Sequence, residues 1–252
     1  VKKGSFGWLG AATLCVALAG CGGGDDGSNN NNNNDPEPTV AEGLYRGTTS
    51  DSRELSALLL DDGSYWVLYS GAGVPTAGGG LQGTGRVDGT LFTSSRGKDF
   101  SLTEGMRDAA ISATYKAGQR FKGSVTFDGG ETFTFDATYD DDYAATASLS
   151  QVAGAHAGVA YTVDGSLPTV VTIADDGTLV GTRGSCTITG TIAPRSHGNV
   201  YDLSLSFGGA TCIVLGATVE GVALIDSATG LVTASALNGD RSVGFIFAEL
   251  PL

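Results

Sequence analysis

Basic side chains are scarce in this chain. It holds 14 Lys and Arg against 27 Asp and Glu, a formal charge of −13 at pH 7. A nucleic-acid backbone is gripped by stripes of Lys and Arg, so nucleic acid is excluded as a partner. Histidine is rarer still, with only His156 and His197 present, which leaves little for general acid–base chemistry. No Gly-x-Ser-x-Gly elbow, His-Glu-x-x-His pair or P-loop occurs. Gly83-Thr-Gly85-Arg-Val-Asp-Gly89 has the wrong spacing for a nucleotide loop and reads as a strand running into a hairpin turn. No catalytic residue, cofactor or metal is expected. Long apolar runs are also missing: a spanning helix takes ~20 residues, and the N-terminal run Trp8–Leu18 is too short.

Glycine, in contrast, is abundant at 40 residues. From Gly43 onward the hydrophobic period is two. Phe121, Gly123, Val125 and Phe127 alternate with Arg120, Lys122, Ser124 and Thr126. Tyr201, Leu203, Leu205 and Phe207 alternate with Asp202, Ser204 and Ser206. Such strands turn one face to a core and one to water. Asp61-Asp-Gly63, Val87-Asp-Gly89, Asp128-Gly-Gly130, Val163-Asp-Gly165, Asp175-Asp-Gly177 and Asn238-Gly-Asp240 supply hairpin turns. The pattern repeats: Gly43-Leu-Tyr-Arg-Gly47 followed by Asp61-Asp-Gly63 is echoed by Gly154-Ala-His-Ala-Gly158 followed by Asp175-Asp-Gly177. In the second half, strands are expected near 155–162, 168–174, 178–183, 186–193, 199–207, 213–225, 231–238 and 242–249. The expected fold is all-β: two tandem antiparallel meander β-barrels of about eight strands each, packed together. Val243, Phe245 and Phe247 on one side of the last strand, with Gly244, Ile246 and Ala248 on the other, make it apolar on both faces. It is therefore expected to be covered by the other lobe as well as by its own core. The large side chains Phe133, Phe135, Tyr201 and Phe207 predict filled barrel interiors.

The N-terminus carries Lys2 and Lys3, the apolar run, and then Leu18-Ala-Gly-Cys21. The layout is that of a secretion signal, and its end resembles the lipobox of bacterial lipoproteins. The resemblance implies a signal peptide over 1–20, cleavage before Cys21, a lipid on its thiol and a membrane anchor. Gly22 in place of Asp after that cysteine implies the outer membrane. Residues 21–42, with Asn29 to Asn34 and Asp35-Pro-Glu-Pro38, hold almost nothing to bury and read as a low-complexity tether. Lobe 1 is expected over 43–143 and lobe 2 over 144–252. With Cys15 in the signal and Cys21 lipidated, Cys186 and Cys212 remain. In an oxidising compartment this even pair reads as a disulfide. A hairpin turning near Ser196–Gly198 brings Cys186 opposite about Phe207, with Cys212 just beyond.

A lipobox, a tether and two Gly-rich meander lobes together resemble the Gram-negative surface lipoproteins typified by transferrin-binding protein B. Leu18–Cys21, the tether and the Gly-x-aromatic-x-Gly of Gly43–Gly47 carry the resemblance. It implies a calycin-like tandem barrel and a binding role. Lobes of this length leave no room for that family's large handle subdomains, so transferrin binding is not carried over.

Among candidate binding residues, Ser64-Tyr-Trp-Val-Leu-Tyr69 is apolar on both faces. Tyr65, Val67 and Tyr69 share one face, Trp66 and Leu68 the other. One face meets the lobe core; the other meets the neighbouring lobe or an external partner. Val74 and Pro75 lie in the adjacent aperiodic stretch. Tyr65, Trp66, Tyr69, Val74 and Pro75 are the candidate ligand- or partner-binding set. Asp140–Asp142 reads as a solvated linker, with a calcium loop as the alternative. The function expected is a non-enzymatic interaction module at the membrane, with an unknown protein or small molecule as partner. The alternatives are a lipocalin-like carrier of a small apolar ligand and, third, an enzyme on envelope glycans using two facing carboxylates.

Overall fold

The computed structural model describes residues 40–163, 165–209, 212 and 214–251. The signal segment, Cys21 and nearly all of the tether lie outside the described residues. The first lobe is built from β1 (Gly43–Thr49), β2 (Glu54–Leu59), β3 (Ser64–Gly71), β4 (Val74–Thr84), β5 (Arg86–Asp88), β6 (Leu91–Ser101), β7 (Gly105–Lys116), β8 (Arg120–Phe127) and β9 (Thr132–Tyr139). Successive strands pair antiparallel except β4 with β5, β1 also pairs with β9, and β4 pairs with β6. That last pairing closes an eight-stranded ring and leaves β5 as a short ribbon hung on β6.

A 3-10 turn (Asp141–Ala144) and one helical turn, α1 (Leu149–Val152), lead to the second lobe. It contains β10 (Gly154–Thr162), β11 (Gly165–Ile173), β12 (Thr178–Arg183), β13 (Cys186–Pro194), β14 (Val200–Gly208), β15 (Thr218–Ile225), β16 (Val232–Leu237) and β17 (Gly244–Glu249). These close into a sequential barrel through β10 and β17. The protein is thus two tandem antiparallel barrels, as the period-two pattern predicts.

The internal repeat is structural. Gly47 and Gly158 occupy the same place, where the first strand of each barrel meets the last. A Cβ on Gly47 would sit 2.0 Å from the Asp136 carbonyl oxygen, and one on Gly158 would sit 2.2 Å from that of Ala248. The repeated glycine therefore lets the closing strands approach. The repeated Asp-Asp-Gly makes equivalent turns, β2 to β3 and β11 to β12. Asp62 Oδ1 accepts from the Ser64 N–H at 2.8 Å, and Asp176 Oδ1 accepts from the Thr178 N–H at 2.9 Å.

Two local expectations change. The strand expected over 213–225 begins only at Thr218. Cys212 is bonded to Cys186, which holds the preceding segment in tight turns, with Gly216 N–H donating to Phe207 O and Ala217 N–H to Val214 O. In the Asn238–Asp240 turn the left-handed residue is Arg241 (φ 59°) rather than glycine. Its guanidinium is anchored on the other lobe, donating to Gln82 O at 2.6 Å and Arg96 O at 3.0 Å. Those carbonyls lie where β4 and β6 part company.

The lobes share a core. Leu44, Leu58, Leu60, Trp66 and Phe100 of lobe 1 cluster with Val200, Val222, Leu237 and Ile246 of lobe 2 and with Tyr143 between them. The doubly apolar β17 is covered on both faces: Phe245 and Phe247 enter the lobe 2 core and Ile246 enters the shared one. Ion pairs ring this contact. Arg195 holds Asp61 at 2.8 Å and Asp202 at 2.7 Å. Arg46 holds Asp140 and Asp226. Asp140–Asp142 therefore forms part of a clasp. No group of three or more His, Cys, Asp or Glu able to hold a metal occurs among the described residues.

Candidate functional site

The two barrels differ in how their ends are closed. Lobe 2 is sealed at both. Ala147, Leu149 and Val152, on and just before α1, enter its core from one end, and Tyr201 fixes that turn by donating to Ser148 O at 3.0 Å. At the other end Cys212 and Val214 enter the same core, pinned by the disulfide. Phe207 and Phe245 meet between, ring centroids 5.7 Å apart.

Lobe 1 is sealed at one end only. Tyr45 stands at the centre of an aromatic floor, 6.0 Å from Tyr115, 5.9 Å from Phe121 and 5.6 Å from Tyr139. Phe92 bridges Phe121 and Tyr65. The entering chain ties onto this floor, Tyr115 donating to Glu42 O at 3.0 Å. Toward the other end the inward positions carry smaller or branched residues, Ala57, Val67 and Val125, and a cavity of about 120 Å³ remains. Although they point inward, Val67, Tyr69, Val125 and Phe133 are only half-buried. The expectation of filled interiors thus holds for lobe 2 and fails for the open half of lobe 1.

The cavity rim is charged. The β1–β2 loop supplies Asp51 and Arg53, the β6–β7 turn Glu104, β7 Arg107 and the β8–β9 turn Glu131. Asp99 lies just inside and is 0% exposed. Tyr69 donates to its Oδ1 at 2.7 Å, and Arg107 donates to its Oδ2 from Nη2 at 2.9 Å and Nε at 3.2 Å. Burial pushes the Asp99 carboxyl above the ordinary carboxylate value, against the pull of Tyr69 and Arg107. Burial, and then the Asp99 charge, push the Tyr69 phenol well above its ordinary value. Arg107 also reaches Glu131 at 3.1 Å and lies 4.0 Å over the Phe127 ring. Arg53 pairs with Asp51 at 2.6 Å, donates to Ser70 O at 3.1 Å and lies 5.4 Å over the Tyr69 ring.

With this geometry in view, no protein-family model and no curated protein matches the chain. Solved structures of transferrin-binding protein B do. A double mutant from Haemophilus parasuis Hp5 is 10% identical over 77% of this chain and 52% of that one, with a TM-score of 0.30. The isotype 1 protein from serogroup B Neisseria meningitidis is 12% identical over 83% and 66%, with a TM-score of 0.27. Intact Ap-TbpB is 7% identical over 83% and 77%, with a TM-score of 0.25. The chain spans about half the length of the first of these.

The five candidate residues fall in different places. Tyr65 is buried inside lobe 1, bonded to Ser94 at 3.0 Å. Trp66 belongs to the inter-lobe core. Tyr69 lines the cavity. Val74 and Pro75 are exposed on the β3–β4 hairpin, whose Gly73 N–H donates to Ser52 O of the rim loop at 3.1 Å. Pro75 and Tyr69 also border an open groove of about 260 Å³ shared with Thr233, Ile246 and Ala248 of lobe 2. Sequence reasoning missed Asp99 and Arg107. Neither histidine lines the cavity: His156 sits between Glu249 at 3.0 Å and Val152 O at 2.8 Å, and His197 faces Glu42 at 3.3 Å.

Proposed function

We propose that the protein is a non-enzymatic binding lipoprotein of the bacterial envelope, anchored through lipid on Cys21 with residues 21–42 as its tether, and that the open end of lobe 1 is its binding site for a small ligand. The lipobox-like Leu18–Cys21 supports the anchor, and the scarcity of Lys and Arg disfavours nucleic acid. The observation that carries the binding role is the cavity walled by Leu55, Val67, Val125 and Phe133. The cavity, about 120 Å³ and open at its rim, is of the same order as the ~150 Å³ apolar cavity that holds a benzene-sized guest. The alternative of carriage inside one barrel therefore gains over docking on the outer face of β3, where Trp66 is already covered by lobe 2.

Catalysis gains no support from the same site. A glycosidase needs two carboxylates that reach the substrate. Asp99, the carboxyl here that burial pushes up, is fully covered and its oxygens are taken by Tyr69 and Arg107. Val125→Trp tests the binding role by filling the cavity from its wall. Nuclear magnetic resonance titration of the full chain with toluene is expected to shift lobe 1 wall resonances in the parent and not in V125W. Shifts confined to lobe 2, or none in either protein, would overturn the proposal.

A further inference from the structure

The rim and the rings together specify a ligand charge. Four carboxylates, Asp51, Asp99, Glu104 and Glu131, border the cavity with two guanidiniums, Arg53 and Arg107. Both guanidiniums are already engaged. Arg53 is held by Asp51 and Ser70 O, and Arg107 by Asp99 and Glu131. An incoming anion therefore meets no uncommitted cation and a surplus of negative charge. Glu104 is exposed and joins no ion pair among the described residues.

The rings point the same way. Arg107 lies over the face of Phe127 and Arg53 over Tyr69, so the protein's own cations sit at this mouth as a ligand's ammonium would, over π-faces and beside carboxylates. Phe133 packs edge-on to Phe127 with centroids 6.1 Å apart, is half-buried and lines the cavity. Below it, Val67 and Val125 offer only apolar surface. The chain's charge of −13 raises the local concentration of cations further. A neutral apolar guest would satisfy the wall and leave the rim unused, and a carboxylate-headed guest such as a fatty acid would be repelled at the rim.

We infer that the ligand of lobe 1 is an organic cation: an ammonium head held at the rim by Glu104, Glu131 and Phe133, on a compact aromatic or branched body seated against Val67 and Val125. This rests on the reading of the lobe 1 cavity as a ligand site. Asp99 fixes the Tyr69 hydroxyl and the Arg107 guanidinium, both of which line the opening.

Three probes of one shape test it: phenyltrimethylammonium, its neutral isostere tert-butylbenzene, and the anion benzenesulfonate. Each is titrated by nuclear magnetic resonance into the full chain carrying Cys21→Ser, so that no acyl chain competes. The cation is expected to bind about tenfold tighter than the neutral isostere, and the anion weakest. Glu104→Gln with Glu131→Gln, both at the exposed rim, is expected to remove the cation's advantage while leaving tert-butylbenzene binding unchanged. Raising the salt concentration is expected to shrink the same advantage in the parent. If tert-butylbenzene binds as tightly as the cation, or the anion binds tightest, the charge assignment falls and the cavity remains a ligand site. If none of the three shifts lobe 1 resonances, the ligand site falls with it.

Discussion

Asp99 and Asp136 lie on the same barrel and respond to acid in opposite senses. Asp136, on the outer face, is hydrogen-bonded by Arg120 with Lys122 beside it, and its carboxyl is held at about 2. Its folded value lies below the ordinary 3.8, so the stability it lends is complete above about pH 4 and is lost as pH falls toward 2. For Asp99, burial sets the folded value above 3.8. Its contribution favours the folded state below the ordinary value and fades as pH rises through the raised one. Urea midpoints measured between about pH 2 and 6 are expected to show a shallower acid decline in Asp136→Asn and a steeper one in Asp99→Asn. A second residue-scale expectation concerns Arg241, whose guanidinium satisfies two carbonyls of lobe 1. Arg241→Ala leaves both without that donor and is expected to cost about 1–3 kcal/mol, read from urea unfolding.

At the scale of elements, the first and last strands of each barrel meet across a glycine. Gly47→Val is expected to prevent β1 from reaching β9, and Gly158→Val to do the same to β10 and β17, because a Cβ there would lie within 2.2 Å of a partner carbonyl oxygen. Near-ultraviolet circular dichroism and thermal melting would report the loss. These glycines were legible in the sequence because the motif repeats. The Asp-Asp-Gly turns and the Cys186–Cys212 pair were legible for related reasons: each is set by local turn chemistry or by a short hairpin register. Asp99 was not, and β6 shows why. Ser94 pairs with Ile111 but Gly97 with Ala109, so β6 carries one extra residue between them. Alternation counted from Phe92 and Ser94 would place Lys98 and Phe100 inward. The bulge reverses the phase, sending Asp99 into the barrel beside Tyr69 and Phe100 out toward Gly244 of lobe 2. The cavity escaped the same reading, because the alternation that marks an inward residue does not reveal which barrel end receives a plug. Lobe 2's plug depends on its crosslink: reduction, or Cys186→Ser with Cys212→Ser, is expected to cost lobe 2 about 3–4 kcal/mol and to admit toluene to its interior, which the same resonance titration would detect.

Across the whole molecule, stability is shared between lobes. The cluster from Leu44 to Ile246, with Arg46, Arg195 and Arg241 around it, couples the barrels, so calorimetry is expected to show one unfolding transition. Gly244→Val is the sharpest test of that coupling. A Cβ there would lie 2.4 Å from the Phe100 ring, forcing the lobes apart, and the single transition is expected to split into two.

The chain enters lobe 1 at Glu42, tied by Tyr115 to the aromatic floor. The rim residue Thr49 is at the far end of the same strand, which at ~3.3 Å per residue is ~20 Å away. The chain therefore enters lobe 1 at its sealed end, and the opening lies at the opposite end of the barrel. A ligand therefore reaches the cavity without passing the segment by which the chain enters the barrel.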